Sequence, residues 1–242
     1  MKSGIERVFR VARRVKSRLS RLIAPRPRYR SSHSDREIVN QFHRLYFHSR
    51  QFDGIDDYWL GVKIIKYPTD LMAYQEIISE IRPAVIIETG THSGGSALFF
   101  AGLCDLLGRG RVVSIDIDTP PAVSHPRISF VTGDSTNLRT VARVGELVAG
   151  EEPVLVTLDS RHIKEHVLEE MKLYAAMTTV GSYLVVEDTK LNGHPVFTPH
   201  RPDQGEGPME AVQEFLKTHK EFVVDRSREK YLLTSQPGGS RP

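Results

Sequence analysis

From about residue 70 the chain alternates short apolar runs with longer segments of helical period, and that alternation admits few folds. The runs at 84–88, 111–117, 128–132, 154–158 and 183–187 have the length and the Val/Ile content of buried strands. Segments 70–81, 94–107, 137–149 and 164–177 between them read as helices, as does 208–218, with Pro208 near its first turn. Strands separated by helices predict an α/β fold built on a doubly wound, mostly parallel, Rossmann-like sheet. Two β-rich pieces at 221–224 and 231–234 predict a C-terminal antiparallel hairpin. Ligands of such sheets bind beyond the carboxyl ends of the strands, near the point where strand order reverses. The residues that follow each strand are therefore the ones to read.

The first strand runs into Glu88-Thr-Gly-Thr-His-Ser-Gly-Gly-Ser96. Glycines there let the backbone turn tightly and let a ligand approach it, although a plain tight turn looks the same. Gly90 and Gly94 are not spaced as GxGxxG, and no P-loop GK[ST] follows. An acid at the head of the loop suits a cofactor bearing an amine and a sulfonium better than one bearing pyrophosphate. Asp116 ends the second strand, where an acid can accept hydrogen bonds from ribose hydroxyls. Asp134 follows the third strand, placed to meet an adenine, though a Gly-Asp-Ser turn needs no ligand. Glu88, Gly90, Ser96, Asp116 and Asp134 are the candidate cofactor-binding residues.

The fourth strand ends at Asp159 and the fifth at Glu187-Asp188. Three carboxylates on adjacent strand ends repel one another without a cation, and an oxygen-rich set favours Mg²⁺ or Mn²⁺ over zinc. Helix N-capping explains one such acid more easily than three. His162, three residues after Asp159, can accept a proton from a substrate hydroxyl, although a lone histidine near a helix start is often structural. His194, on the turn after the fifth strand, can line a substrate pocket.

The charge is uneven. Residues 1–30 carry eleven Lys or Arg against one acid, Glu6, so the net +3 of the whole chain leaves −7 on the remainder. Apolar residues in this arm recur at helical spacing between the basic ones, as in a basic amphipathic helix that lies on an anionic membrane or docks on a partner; a solvated arm and an organellar transit peptide are the other readings. A linker follows, and Ser34 or Asp35 is an N-cap for a helix through about Phe47. The organisation expected is an arm (1–30), a helical lead-in and linker (31–70) and one catalytic domain (71–242). A single cysteine, Cys104, excludes an internal disulfide and a Cys-rich zinc site, and its apolar neighbours make it a small buried hydrophobe.

At these motifs the chain resembles the cephalosporin hydroxylase / rhamnosyl O-methyltransferase family. The stretches that carry the likeness are Trp59-Leu-Gly-Val62, Tyr74-Gln-Glu-Ile77, Ile87-Glu-Thr-Gly90 with Gly94-Gly-Ser-Ala97, and Leu158-Asp-Ser160 with His162. Val186-Glu-Asp-Thr189, Asn192-Gly-His-Pro-Val196 and Gly207-Pro-Met-Glu-Ala211 continue it. The resemblance implies a class I methyltransferase fold, Mg²⁺ on Asp159, Glu187 and Asp188, and S-adenosylmethionine held by Glu88 and Asp116. It also implies His162 as general base, a sugar hydroxyl as acceptor, and a homo-oligomer. Two departures, Arg161 and Glu206, bear on the choice of substrate more than on the chemistry.

The expected activity is Mg²⁺-dependent O-methylation of a small molecule, a sugar of a glycolipid or glycosylated natural product, by a cytoplasmic protein whose arm touches the membrane. The alternative is a non-catalytic partner of another biosynthetic enzyme, against which the retained acid cluster argues. No iron triad supports a hydroxylase, and the missing GxGxxG speaks against an NAD enzyme. No nucleic-acid partner is expected, because the acidic body lacks interleaved aromatic and basic residues.

Overall fold

The computed structural model describes residues 32–52, 54, 56–197 and 205–235, so the basic arm lies outside the described residues. Helix α1 (Asp35–Phe52) leads into a small antiparallel pair, β1 (Asp57–Trp59) and β2 (Val62–Ile64). Then follow α2 (Pro68–Ile81), β3 (Val85–Thr89), α3 (Gly95–Leu107), β4 (Arg111–Asp116), β5 (Ile128–Thr132), α4 (Leu138–Val148), β6 (Val154–Leu158), α5 (Lys164–Ala175), β7 (Leu184–Val186) and α6 (Pro208–Thr218). A 3-10 turn, Arg226–Tyr231, comes last. All five long-range strands pair in parallel, in the order β5-β4-β3-β6-β7. The order reverses between β3 and β6, the point beyond whose strand ends such sheets bind their ligands.

Why the strands read as continuous apolar runs is clear from what covers them. Every residue of β3 and of β6 is buried, as expected for parallel strands with helices on both faces. Alternate residues go to opposite cores. Val85, Ile87, Val113, Ile115, Val154 and Val156 pack with Val144 of α4, Met171 and Tyr174 of α5, and Phe215 of α6. Ile86, Val112 and Leu155 face the other way, onto Tyr74 and Ile78 of α2 and Phe100 and Cys104 of α3. Cys104 is fully buried there, and burial pushes its thiol up to about 11, where it is inert.

The expected C-terminal hairpin is not formed. Residues 221–225 run as coil into the 3-10 turn, whose start Asp225 caps by accepting from Ser227 N at 3.0 Å. Side chains rather than a ladder hold this segment: Arg228 reaches Glu80 at 2.6 Å, Lys230 reaches Glu76, and Ser235 donates to Asp70 at 2.6 and 2.8 Å. The antiparallel pair lies instead at β1–β2, closed by Leu60 and Gly61, both with positive φ (49° and 82°), as a two-residue hairpin turn requires. A cavity of about 940 Å³ runs along the outer edge of β7, lined mainly by apolar residues such as Ile77, Met171, Val212 and Phe222. Among the described residues no helix is long and apolar enough to cross a membrane.

Candidate active site

The two-residue period that buries the strands also assembles the site. Continuing the row of Ile86, Val112, Leu155 and Val185 by two residues gives Glu88, Ser114, Thr157 and Glu187, all on the face covered by α2 and α3. Glu88 stands opposite Ser114 on one side and Thr157 on the other. One further step gives Asp116 and Asp159. Asp188 breaks the pattern, since alternation would turn it to the far face. Its backbone takes a positive φ of 56°, tolerated by Asp better than by most residues, and the carboxylate comes back to the strand ends. There Asp159, His162 and Asp188 converge, with one candidate ligand atom from each lying within 4.8 Å of the others. His162 Nε2 is 3.2 Å from Asp159 Oδ1 and 3.5 Å from Asp188 Oδ2.

Glu187 adjoins these three groups through a shared lysine. Its Oε1 accepts from Tyr74 OH at 2.6 Å and pairs with Lys66 Nζ at 2.6 Å. Lys66 also donates to Asp159 Oδ2 at 2.5 Å, so one buried ammonium bridges two acids. Burial would lower the Lys66 pKa, but the charges of Asp159 and Glu187 more than offset it and the lysine stays protonated. Burial likewise raises Asp159, while Lys66 and His162 reverse the effect and hold it low. Burial wins at Glu187, which is raised despite Lys66. At His162 burial lowers the pKa, and the charges of Asp188 and Asp159 carry it back above the usual value. A second buried lysine, Lys190, pairs with Asp188 and lies 5.0 Å over the ring of Tyr67.

The glycine turn comes from close packing as well as sharp bending. A Cβ on Gly90 (φ 87°) would collide with the backbone oxygen of Asp159, and one on Gly95 with that of Lys63. Glu88 is wholly buried under this turn, with Oε2 accepting from Ser114 Oγ at 2.6 Å and Ser96 also hydrogen-bonded to the carboxylate. Its other oxygen, Oε1, has no hydrogen-bond partner among the described residues. An orphaned buried acceptor costs ~1–3 kcal/mol, and a cofactor N–H or O–H would satisfy it. Asp116 Oδ2 accepts from His92 N at 2.8 Å, across the mouth of the turn. Asp134 is exposed and closes a local turn, accepting from Thr136 N (2.8 Å) and Thr136 Oγ1 (2.7 Å), the ligand-free alternative for that residue.

Lys66 and Lys190 escaped the sequence reading, and Tyr74 entered it only as part of a family stretch, without a role. The need for a counter-charge beside three acids was a signal for the lysines, but nothing local marks Lys66. A second hidden group is Glu170, fully buried, which accepts from Ser160 Oγ at 2.7 Å, while His166 Nε2 lies 3.0 Å from Ser160 Oγ and 3.3 Å from Ser135 Oγ. His166 thus ties the loop after β5 to the loop after β6. His194 Nε2 meets Glu210 Oε1 at 2.5 Å, and Arg161 is exposed.

The fold is shared with solved CmcI structures. A CmcI structure with Mg and SAM superposes with a TM-score of 0.57 at 22% identity, covering 89% of this chain and 79% of that one. An apo CmcI structure gives 0.56 at 23%, covering 89% and 84%. Sequence narrows the class: the chain belongs to the Rhamnosyl O-methyltransferase/CmcI family, whose model matches residues 54–240. It is 38% identical over 200 residues to the rhamnosyl O-methyltransferase of Mycobacterium leprae (strain TN), covering 80% of this chain and 84% of that protein. A rhamnosyl O-methyltransferase of Mycobacterium bovis (strain BCG / Pasteur 1173P2) is 35% identical over 211 residues, covering 84% and 83%.

Proposed function

We propose that this protein transfers a methyl group from S-adenosylmethionine to a hydroxyl of a sugar, in a site that uses Mg²⁺. The observation that carries the reading is the convergence of Asp159, His162 and Asp188 beyond the strand ends where the sheet order reverses. The donor set fits: Mg²⁺ is commonly bound through one or two carboxylates with the remaining positions on water or substrate. Asp159 and Asp188 are the carboxylates that would hold it, with Glu187 adjoining. Glu88, Asp116 and the Gly90–Ser96 turn would hold the cofactor, Glu88 through its unpartnered Oε1.

When bound, the cofactor supplies an electrophilic methyl group and the metal lowers the cost of ionising a hydroxyl. The protein's own part is alignment and proton transfer. His162 is the base we assign: its Nε2 faces two carboxylate oxygens and so carries a proton in this arrangement, and once that proton has left it would accept the hydroxyl proton, the charges of both aspartates stabilising the imidazolium that results. The Gly90 turn, pressed on the Asp159 backbone, fixes the distance between donor and acceptor subsites. The names of the relatives point to rhamnosides as the first acceptors to try. We infer further that the basic arm brings the protein to anionic membranes that carry a lipid-linked acceptor.

Calorimetric titration with S-adenosylmethionine, with and without Mg²⁺, joined to transfer of labelled methyl to rhamnosides, tests the reading. Wild type is expected to bind the cofactor and label the sugar, and Asp159→Asn to keep cofactor binding while losing transfer by about 10²-fold or more. Absence of cofactor binding by wild type would remove the catalytic reading, and transfer unaffected by chelation would remove the metal.

A further inference from the structure

Lys66 is only 4% exposed, and its ammonium lies 2.5 Å from Asp159 Oδ2 and 2.6 Å from Glu187 Oε1. A buried lysine is costly unless paired, and a buried carboxylate pair repels itself unless a cation lies between the two. Each group here removes the other's penalty. The division of Asp159 is informative. One oxygen, Oδ2, is spent on Lys66, and the other, Oδ1, faces His162 Nε2 at 3.2 Å, on the side where Asp188 converges. Glu187 is fixed from its other neighbours too, by Tyr74 at 2.6 Å and Thr157 at 3.3 Å from the same Oε1.

We propose that Lys66 is a positioning residue, the resident counter-cation that keeps Asp159 and Glu187 together in the metal-free protein and caps the negative charge that an incoming Mg²⁺ meets. The second half rests on the metal reading above; the first half does not. Lys66 makes the fold independent of the metal and, for the same reason, holds metal affinity down. The neighbouring lysine, Lys190, is ion-paired with Asp188 among the described residues, not with Asp159 or Glu187.

The test is a double-mutant cycle in urea, run with EDTA on the full chain, on wild type, Lys66→Met, Glu187→Gln and the double variant. Lys66→Met is expected to be the least stable, and the double variant to recover most of the loss, because neutralising Glu187 removes the repulsion the lysine had offset. Calorimetry with Mg²⁺ alone follows. Lys66→Met should bind Mg²⁺ about tenfold more tightly than wild type or beyond, from the unit charge removed at a few ångströms, while Lys66→Arg stays near wild type. Additive losses in the cycle, or weaker Mg²⁺ binding by Lys66→Met, would overturn the proposal. Should Lys66→Met fail to fold in EDTA, folding of the double variant supports it, and failure of both overturns it. A wild type that binds no Mg²⁺ sinks the metal reading instead, and the EDTA cycle still decides the role of Lys66.

Discussion

Glu88 carries a conflict between stability and function in one side chain. It is fully buried with Oε1 unpartnered, and burial pushes its carboxyl up to about 7 despite Lys66, Ser114 and Ser96. Its ordinary value, about 4.5, is that of the unfolded chain. Between those two values the folded protein holds a proton that the unfolded chain has lost. This group's contribution is therefore full below about 4.5 and lost as pH rises to about 7. At ~1.4 kcal/mol per pH unit the ceiling is ~3 kcal/mol. Glu88→Gln should melt above wild type at pH 8 without cofactor and near it at pH 5, while binding S-adenosylmethionine at least about tenfold more weakly. Scanning calorimetry at the two pH values reads the first part, and an equal offset at both would refute it. His43 has the opposite sign. It is 2% exposed, stacked on Tyr67 with ring centroids 5.7 Å apart, and burial, then Lys190, lowers it to about 4. The unfolded chain takes its proton near 6.5, so stability falls as pH drops from there toward 4. In urea titrations at pH 7 and 4.5, His43→Gln should lose less on acidification than wild type, by up to ~3 kcal/mol.

Among the elements, α6 shows how a helix start serves the site. Glu210 accepts from Gly207 N at 2.8 Å through Oε2 and meets His194 at 2.5 Å through Oε1, so one carboxylate caps the helix and anchors the turn that follows β7. Glu210→Ala should cost ~1 kcal/mol, as a lost cap does. If that turn borders the acceptor, the variant should raise the acceptor KM with little change in cofactor affinity; equal losses in both would place the turn elsewhere. The elements also mark what a sequence can disclose. The parallel strands were legible because helices cover both faces of the sheet, leaving apolar runs of five to seven residues in the sequence. Acids at their ends stood out against that background. By contrast β1 and β2, three residues each, are too short to show a period. Phe222-Val-Val224 reads as a strand by propensity, yet Asp225, Arg228 and Lys230 find side-chain partners that hold the segment in another path. Lys66 was hidden for a different reason: its meaning lies in residues 93 and 121 positions away, brought to it by the sheet register.

The whole molecule joins two bodies of opposite charge in its sequence, an arm of residues 1–30 with eleven basic residues and one acid, and a remainder of −7. A single acidic body is repelled by an anionic bilayer, so any attraction to one falls to the arm. Each Lys or Arg near such a surface contributes ~1 kcal/mol, and the apolar residues between them add burial if the arm lies flat. Attraction of this origin is screened with a Debye length of ~10 Å at 0.1 M salt. Full-length protein should therefore sediment with vesicles containing phosphatidylglycerol, sediment less with neutral ones, and be released progressively as salt rises. Deleting residues 1–30 should abolish sedimentation while leaving kcat toward a soluble rhamnoside unchanged, because every candidate site residue lies beyond residue 60. Equal sedimentation with and without the arm would transfer membrane contact to the body or end the membrane reading. Lost activity on the soluble acceptor would instead make the arm part of the catalytic unit. Binding that persists at high salt would shift the weight from the basic residues to the apolar stripe, leaving the arm as an inserted rather than an electrostatic anchor.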